Sequence, residues 1–373
     1  MRKLLTVTVL IVSLLLITSC QTARQEEQSI PSTEAVITGF EKYGHAVLDT
    51  TIEDFNNLGF ELGDVVTVTT DDGKAYDMPY FDGYYVDRGA MMLRAYPGHT
   101  NIAVCINYGK FGEEAGVKEG DKLTITLKEK KGELATQTIY SLVYSNDRAD
   151  FASDEVFANF RPVVIGNILP GRLYRSCSPI NNENNRASTA NALAEKAGIM
   201  TVLNLADTDD EIRGYAAADD FDSEYYFSLF ENGSVIALGM SVNYQSSGFA
   251  SDVVKGLTFL SEHDTPYLVH CTEGKDRAGF VSALIEALMG GSEEEIIADY
   301  MTSYENYYGV EPGTEKYQII AEKNIVQMLK TIAGIPDDSS LEGIDLSKAA
   351  EEYLIKNGMT QTAIDNLKAH LSK

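Results

Sequence analysis

Cysteine is scarce in this chain of 373 residues: Cys20, Cys105, Cys177 and Cys271 are the four present, and no two of them have Cys-x-x-Cys spacing. That excludes a dense disulfide framework and the common zinc-ligand pattern. Histidine is equally thin, and His45, His99, His263 and His370 form no cluster, so no metal site is expected. Positive charge is short as well: 30 Lys and Arg stand against 56 Asp and Glu, a formal net charge of -26. A field of that sign repels polyanions, so nucleic acid is excluded as a partner unless a local basic site overrides it. The acidic stretches Asp71-Asp72 and Asp82 to Asp87 lack the alternating-oxygen loop ending in Glu that calcium requires, and they read as solvated turns. The apolar run from Leu4 to Ile17 is too short and wrongly flanked for a stable transmembrane helix.

What is present is an ordinary globular composition, 44% hydrophobic and 23% charged, in a chain long enough for about two to three domains. Met1-Arg2-Lys3 followed by Leu4 to Ile17 has the form of a signal peptide. It ends in Ile17-Thr18-Ser19-Cys20, which resembles the bacterial lipobox. The resemblance implies residues 1–20 as a lipoprotein signal, a lipid on Cys20, and a mature protein anchored outside the cytoplasm to a bacterial cell membrane. Residues 21–34, rich in Gln, Glu, Ser and Thr, read as a flexible tether.

Residues 35–150 read as a β-rich accessory domain. Val65 to Thr69, Ile102 to Ile106 and Leu123 to Leu127 are short β-branched runs, with turns at Asp71-Asp72-Gly73 and Lys131-Gly132. Gly59, Gly63, Asp64, Thr67 and Thr69 recur at constant offset as Gly116, Gly120, Asp121, Thr124 and Thr126, an internal echo that suits a small pseudo-symmetric barrel. The segment from Lys42 through Asp64 loosely resembles the small β-barrel domain of the hydroxide adenosyltransferases that act on S-adenosylmethionine, and no activity is assigned from it. Tyr76, Tyr80, Tyr84, Tyr85 and Tyr96 read as cross-strand packing, with a binding face as the alternative.

The polar stretch from Asn146 to Asn159 marks the boundary, and residues 151–373 form the second domain. Helical and strand patterns alternate there: Asn184 to Ala197, Thr201 to Leu205, Ser251 to Glu262 and Pro266 to His270, which implies an α/β layered fold. The strand ending in His270 runs into Cys271-Thr272-Glu273-Gly274-Lys275-Asp276-Arg277 and then a helix from Ala278 to Met289. Strand, loop and helix start in that order aim several backbone N–H groups and a helix dipole at one point, which is what a bound phosphate requires. The same field favours the thiolate of Cys271, a competent nucleophile. Arg277 supplies a planar guanidinium able to hold two phosphoryl oxygens. Gly274 permits close backbone approach, and Gly279 lets the helix pack tightly.

His270 through Gly279 resembles the signature of the protein tyrosine phosphatase superfamily, in its bacterial and fungal branch whose loop reads His-Cys-x-x-Gly-Lys-Asp-Arg. Gly171 to Ser176, Gly198 to Leu205 and Asp299 to Ser303 are similar to other segments of that branch, and the likeness runs from about Phe160 to Leu371. The resemblance implies a tyrosine-phosphatase-like central sheet flanked by helices, and phosphomonoester hydrolysis through a phosphocysteine on Cys271, with no cofactor. It also implies a phosphorylated substrate: phosphotyrosine, a phosphoinositide or an inositol phosphate. Thr272, Glu273, Gly274, Lys275, Asp276 and Arg277 would line the phosphate site, Lys275 could meet a second phosphate or pair with a neighbouring acid, and His270 would orient the loop. Asn204-Leu205-Ala206 stands where relatives often carry Asp-Leu-Arg, and Ala278 replaces a usual threonine.

A general acid must protonate the leaving oxygen. Asp207, just past a strand end, is the first choice, with Asp276 next and Asp209 and Asp210 as neighbours. Cys177 reads as core packing, with a disulfide to Cys271 as the alternative. Sulfurtransferase or arsenate-reductase chemistry uses a similar loop, but the Lys-Asp-Arg-x-Gly continuation argues against both. A catalytically weak module that captures phosphorylated ligands is the other alternative.

Overall fold

The computed structural model describes residues 30–373. The signal segment, Cys20 and most of the expected tether therefore lie outside the described residues. The first part is a closed barrel of strands β1 (Ser32–Phe40), β2 (Ala46–Thr51), β3 (Val65–Thr70), β4 (Ala75–Phe81), β5 (Met91–Arg94), β6 (Asn101–Ile106) and β7 (Lys122–Glu129), in the order β1-β2-β6-β5-β4-β3-β7. Alternation drives it. In β3, Val66, Val68 and Thr70 point inward while Val65, Thr67 and Thr69 face out. The interior fills with Phe55, Phe60, Tyr80 and aliphatic side chains, Phe55 and Phe60 stacking at 4.0 Å. Helices α1 (Ile52–Asn57) and α2 (Phe111–Ala115) pack within the barrel's connections, and α3 (Leu134–Tyr140) follows β7.

The first strand begins at Ser32, inside the stretch expected as tether, because Ser32 and Thr33 pair with Thr126 and Ile125 and so help close the barrel. Polar composition concealed that pairing. The internal echo has a geometric meaning. Strands β3 and β7 lie side by side, antiparallel, with Thr67 opposite Thr126 and Thr69 opposite Thr124, so the two copies face each other across a local twofold. Gly63 and Gly120 adopt φ of +90° and +89°, and a Cβ on Gly63 would lie 2.7 Å from Leu134 Cα. Tyr80 is wholly buried and Tyr76 packs edge-on to Phe111, while Tyr84, Tyr85 and Tyr96 sit on the outer side.

The second part is a sheet in the order β11-β10-β12-β9-β8, built from β8 (Arg161–Pro162), β9 (Leu173–Ser176), β10 (Thr201–Asn204), β11 (Val235–Ala237) and β12 (Tyr267–His270). Strands β9 to β12 are parallel, and β8 is an antiparallel edge. After the short α4 (Asp154–Phe157) come α5 (Ala187–Ala197), α6 (Asp209–Ala216), α7 (Glu224–Glu231), α8 (Ser247–Ser261), α9 (Asp276–Leu288), α10 (Glu293–Tyr308), α11 (Glu315–Lys323), α12 (Ile325–Ala333), α13 (Leu346–Lys356) and α14 (Gln361–Ser372). Val202 and Leu268 meet α5, α6 and α7 on one face, while Leu203, Tyr267 and Val269 meet α8, α9 and the C-terminal helices on the other. Parallel strands covered on both faces explain their unbroken apolar runs. The fold class read from the sequence, a barrel-like part ahead of a helix-flanked α/β sheet, is the architecture observed. Helix α5 starts later than its composition predicts, because Asn185 takes φ of +57°.

Helix α3 joins the two parts. Its Gln137 donates to Asp82 of the barrel at 2.7 Å, it lies against α11, and nearby Lys131 pairs with Glu315 at 3.3 Å. Asp64, fully buried, accepts from the backbone N–H of Glu61 (2.7 Å) and Lys131 (2.8 Å) and from Lys130 Nζ (3.1 Å). Its echo Asp121 accepts from Lys118 N–H at 2.9 Å and is only half-buried. Asp64→Ala is therefore expected to cost roughly 2–4 kcal/mol in denaturant unfolding, because it strands buried donors, and Asp121→Ala distinctly less.

Candidate active site

In register, the last residues of β9, β12 and β10 stand abreast: Ser176, His270 and Asn204. The segments that leave those strand ends share one edge of the sheet, where parallel α/β sheets form their ligand sites. Cys271 follows His270 directly, and α9 begins at Asp276.

Between them the backbone is turned by its carbonyls. Thr272 O accepts from Ser178 N–H (3.0 Å), and Glu273 O accepts from Tyr307 Oη (2.7 Å) and Asn159 Nδ2 (3.2 Å). Gly274 O and Lys275 O accept from Arg175 Nη2, at 2.9 and 3.2 Å. A trans peptide holds its C=O and N–H on opposite sides. Drawing these carbonyls outward therefore turns the N–H groups of Glu273, Gly274, Lys275 and Asp276 to the concave side, next to the positive end of α9. Gly274 has φ of +69°, and a Cβ there would lie 2.1 Å from Ser176 O, so no other residue fits. At Gly279 a Cβ would lie 2.5 Å from the Tyr300 ring.

Cys271 lies at the floor of the loop, 3% exposed. Arg277 reaches back to the start of the loop and to two neighbouring segments: Nη2 donates to Thr272 Oγ1 (3.2 Å), and Nη1 to Met240 O (3.1 Å) and Leu205 O (3.4 Å). Lys275 is turned to its neighbours, Nζ lying 2.8 Å from Asp276 and 3.7 Å from Glu273, over the Tyr304 ring. Burial opposes its charge, but Asp276, Tyr304, Glu273 and Tyr308 together outweigh burial and keep the amine protonated. Of the two uses open to Lys275, the ion pair is the one formed.

Of the candidate acids, Asp207 alone is buried, at 3% exposure, beside the β10 end. Asn204 Nδ2 donates to its Oδ2 (3.0 Å) and Tyr215 Oη to its Oδ1 (3.3 Å). Burial raises its pKa above the usual carboxylate value, against the hydrogen bonds that lower it. Asp209 and Asp210 are exposed in the first turn of α6, which Thr208 and Glu211 cap. Asp276 occupies the first turn of α9, paired with Lys275 and near Tyr300 Oη (3.4 Å).

His270 is fully buried, and burial lowers its pKa to about 3, so it stays neutral. Its Nδ1 lies 3.4 Å from Cys271 O, which assigns the ring proton to Nδ1, and its Nε2 accepts from Tyr226 Oη at 3.2 Å. Tyr226 Oη also accepts from Asn204 Nδ2 at 2.9 Å. A polar chain thus runs from Cys271 O through His270, Tyr226 and Asn204 to Asp207. Cys177 is buried and carries a free thiol, its pKa raised by burial to about 12.

Sequence reasoning did not single out the loop's support. Arg175, fully buried, pairs with Asp299 at 2.6 Å, and Arg161 pairs with the same carboxylate at 2.8 Å. Burial opposes ionisation of Asp299, but the two guanidinium charges outweigh it and hold the carboxyl well below its usual range. Both Arg175 and Asp299 sit in segments that carried the family likeness, which was the available signal.

A family model described as "Tyrosine phosphatase family" matches residues 164–373, more than half of the chain. No curated protein matches significantly. Among solved structures, the crystal structure of an uncharacterized conserved protein from Thermotoga maritima is similar at 20% identity and a TM-score of 0.24, covering 26% of this chain and 36% of that one. The match thus spans little more than a third of that protein's length. Gly274→Ala is expected to lower the melting temperature in thermal unfolding, since the strained φ and the clash with Ser176 O each oppose the loop's shape.

Proposed function

The chain belongs to the tyrosine phosphatase family, and on that premise we propose that it hydrolyses phosphomonoesters through a phosphocysteine intermediate on Cys271. The observation that carries the proposal is the loop itself: the carbonyls of four consecutive residues after Cys271 are all bonded to surrounding donors, which leaves their N–H groups free to face a phosphoryl group, and Arg277 reaches back to Thr272 in the same loop. That arrangement suits the equatorial oxygens of a phosphoryl group in transfer.

The thiolate attacks phosphorus, forming an S–P bond as the P–O bond to the leaving group breaks. Asp207, protonated, gives its proton to the departing oxygen. Water then attacks phosphorus and loses a proton to the Asp207 carboxylate, the S–P bond breaks, and inorganic phosphate leaves with the thiolate restored. Atoms and charge balance with no metal or redox cofactor. Arg277 must give up contacts to Thr272 and the carbonyls of Leu205 and Met240 in order to bind phosphoryl oxygens in a bidentate way. Because Lys275 is engaged by Asp276 and Glu273, the reading favours substrates that present one phosphate at the loop, such as phosphotyrosine, over polyphosphorylated inositols.

The depth of Cys271, 3% exposed, is the one feature that favours a second reading, a module that binds phosphorylated ligands with little turnover. The site of action in this proposal is extracytoplasmic, with the chain held at a bacterial membrane through a lipid on Cys20.

Purified protein lacking residues 1–20 is expected to turn over p-nitrophenyl phosphate without any added thiol substrate. Cys271→Ser is expected to remove that turnover while inorganic phosphate still binds; a wild type that binds phosphate and hydrolyses nothing leaves the binding module as the answer. Asp207→Asn should lower kcat about 10²–10⁴-fold. Since the required form of Asp207 is the protonated one and burial raises its pKa, kcat should fall as pH rises through that value, and the alkaline fall should vanish in the Asn variant. A retained alkaline limb assigns the acid elsewhere. In the full chain, Cys20→Ser should shift the protein from the membrane fraction to the soluble extracytoplasmic fraction.

A further inference from the structure

The stretch between barrel and sheet, polar and without periodicity, is tightly bound to the α/β part. Arg186, 2% exposed, has no carboxylate partner among the described residues and sits among the rings of Tyr144 (5.3 Å), Phe151 (4.8 Å), Phe157 (4.3 Å) and Tyr307 (4.8 Å). Its Nη2 donates to Ser145 O at 2.6 Å, and its Nη1 to Phe157 O. A desolvated guanidinium ringed by aromatic faces and bonded to backbone carbonyls is a strong clamp. The clamp strings residues 144–157 along the back of the catalytic loop.

What it delivers there is one side chain. The Tyr144 ring stacks on Tyr307 at 5.1 Å and meets Tyr308 edge-on at 5.4 Å, and its hydroxyl donates a hydrogen bond to Glu273 Oε1. Tyr307 holds the same residue from the other side, through the Glu273 carbonyl. Burial raises the Tyr144 pKa further, so the hydroxyl keeps its proton. Tyr144 precedes the family-matched residues 164–373, so the contact comes from outside the matched segment.

We propose that Tyr144 is a positioning residue for the phosphate site, pinning the Glu273 carboxylate and dispersing its charge so that an anionic substrate can enter the loop. A carboxylate two residues from the nucleophile opposes a phosphate dianion. Lys275 only partly offsets it, since its ammonium is nearer Asp276 (2.8 Å) than Glu273 (3.7 Å). The remaining neutralising contact is the phenol hydrogen. Tyr144→Phe removes the hydroxyl alone, leaving the ring for Arg186 and Tyr307 and freeing the carboxylate. The inference rests on the phosphatase reading only for its kinetic arm.

Tyr144→Phe, Glu273→Gln and the double variant are made in the full chain. KM and kcat are measured with p-nitrophenyl phosphate, and Kd for inorganic phosphate by calorimetry. Tyr144→Phe is expected to raise KM and the phosphate Kd about three- to tenfold with kcat within about twofold of wild type. In the Glu273→Gln background, the further change Tyr144→Phe should alter neither constant, because no charge is left to restrain. Wild-type constants in Tyr144→Phe, or an equal rise with and without Glu273, would overturn the proposal and leave Tyr144 a packing residue. If the wild type binds phosphate without turnover, the phosphatase reading fails, and the Kd comparison still decides the role of Tyr144. A wild type that does neither ends both.

Discussion

The orientation of four peptide planes governs the rest of this molecule's chemistry. Thr272 to Lys275 turn their carbonyls outward because Ser178, Tyr307, Asn159 and Arg175 are waiting there to donate. Each is an ordinary hydrogen bond to a loop carbonyl. Their sum converts a short loop into a concave array of donors whose orientation is fixed by folding. Arg175 matters most, since one buried guanidinium fixes two successive carbonyls and is itself fixed by Asp299.

That arrangement concentrates charge where burial is expensive. Arg161, Arg175 and Asp299 form a compact buried group, and the fully enclosed Glu286, whose pKa burial pushes well above its usual value, remains protonated beside them. A buried ion pair of this kind contributes little net stability against an apolar substitute, but breaking one member strands the others. The group earns its place through geometry, as the rigid wall against which the loop is shaped. On the opposite flank a chain of hydrogen bonds runs from the neutral His270 through Tyr226 and Asn204 to Asp207, whose pKa burial raises.

The sequence made much of this legible, and the limits are physical. Strand and helix periodicity revealed a β-rich part ahead of an α/β part, because one-sided and two-sided burial leave different patterns. The loop from Cys271 to Arg277 could be read because its chemistry is contiguous. Its support could not: Arg175 and Asp299 lie 124 positions apart, and no local pattern links them. The choice among Asp207, Asp209, Asp210 and Asp276 turns on burial, which adjacent carboxylates do not encode. Tyr144 was hidden for a similar reason, since the order of its polar surroundings comes from Arg186, 40 residues beyond Asn146 in the chain.

Arg186 also sets how the assembly responds to its medium. Dissolved salt weakens attraction between opposite formal charges across open water, but it has little purchase on a guanidinium sealed among four rings and bonded to main-chain oxygens. The union of residues 144–157 with the sheet should therefore hold from dilute buffer to brine, while peripheral contacts such as Lys131 with Glu315 loosen along the way.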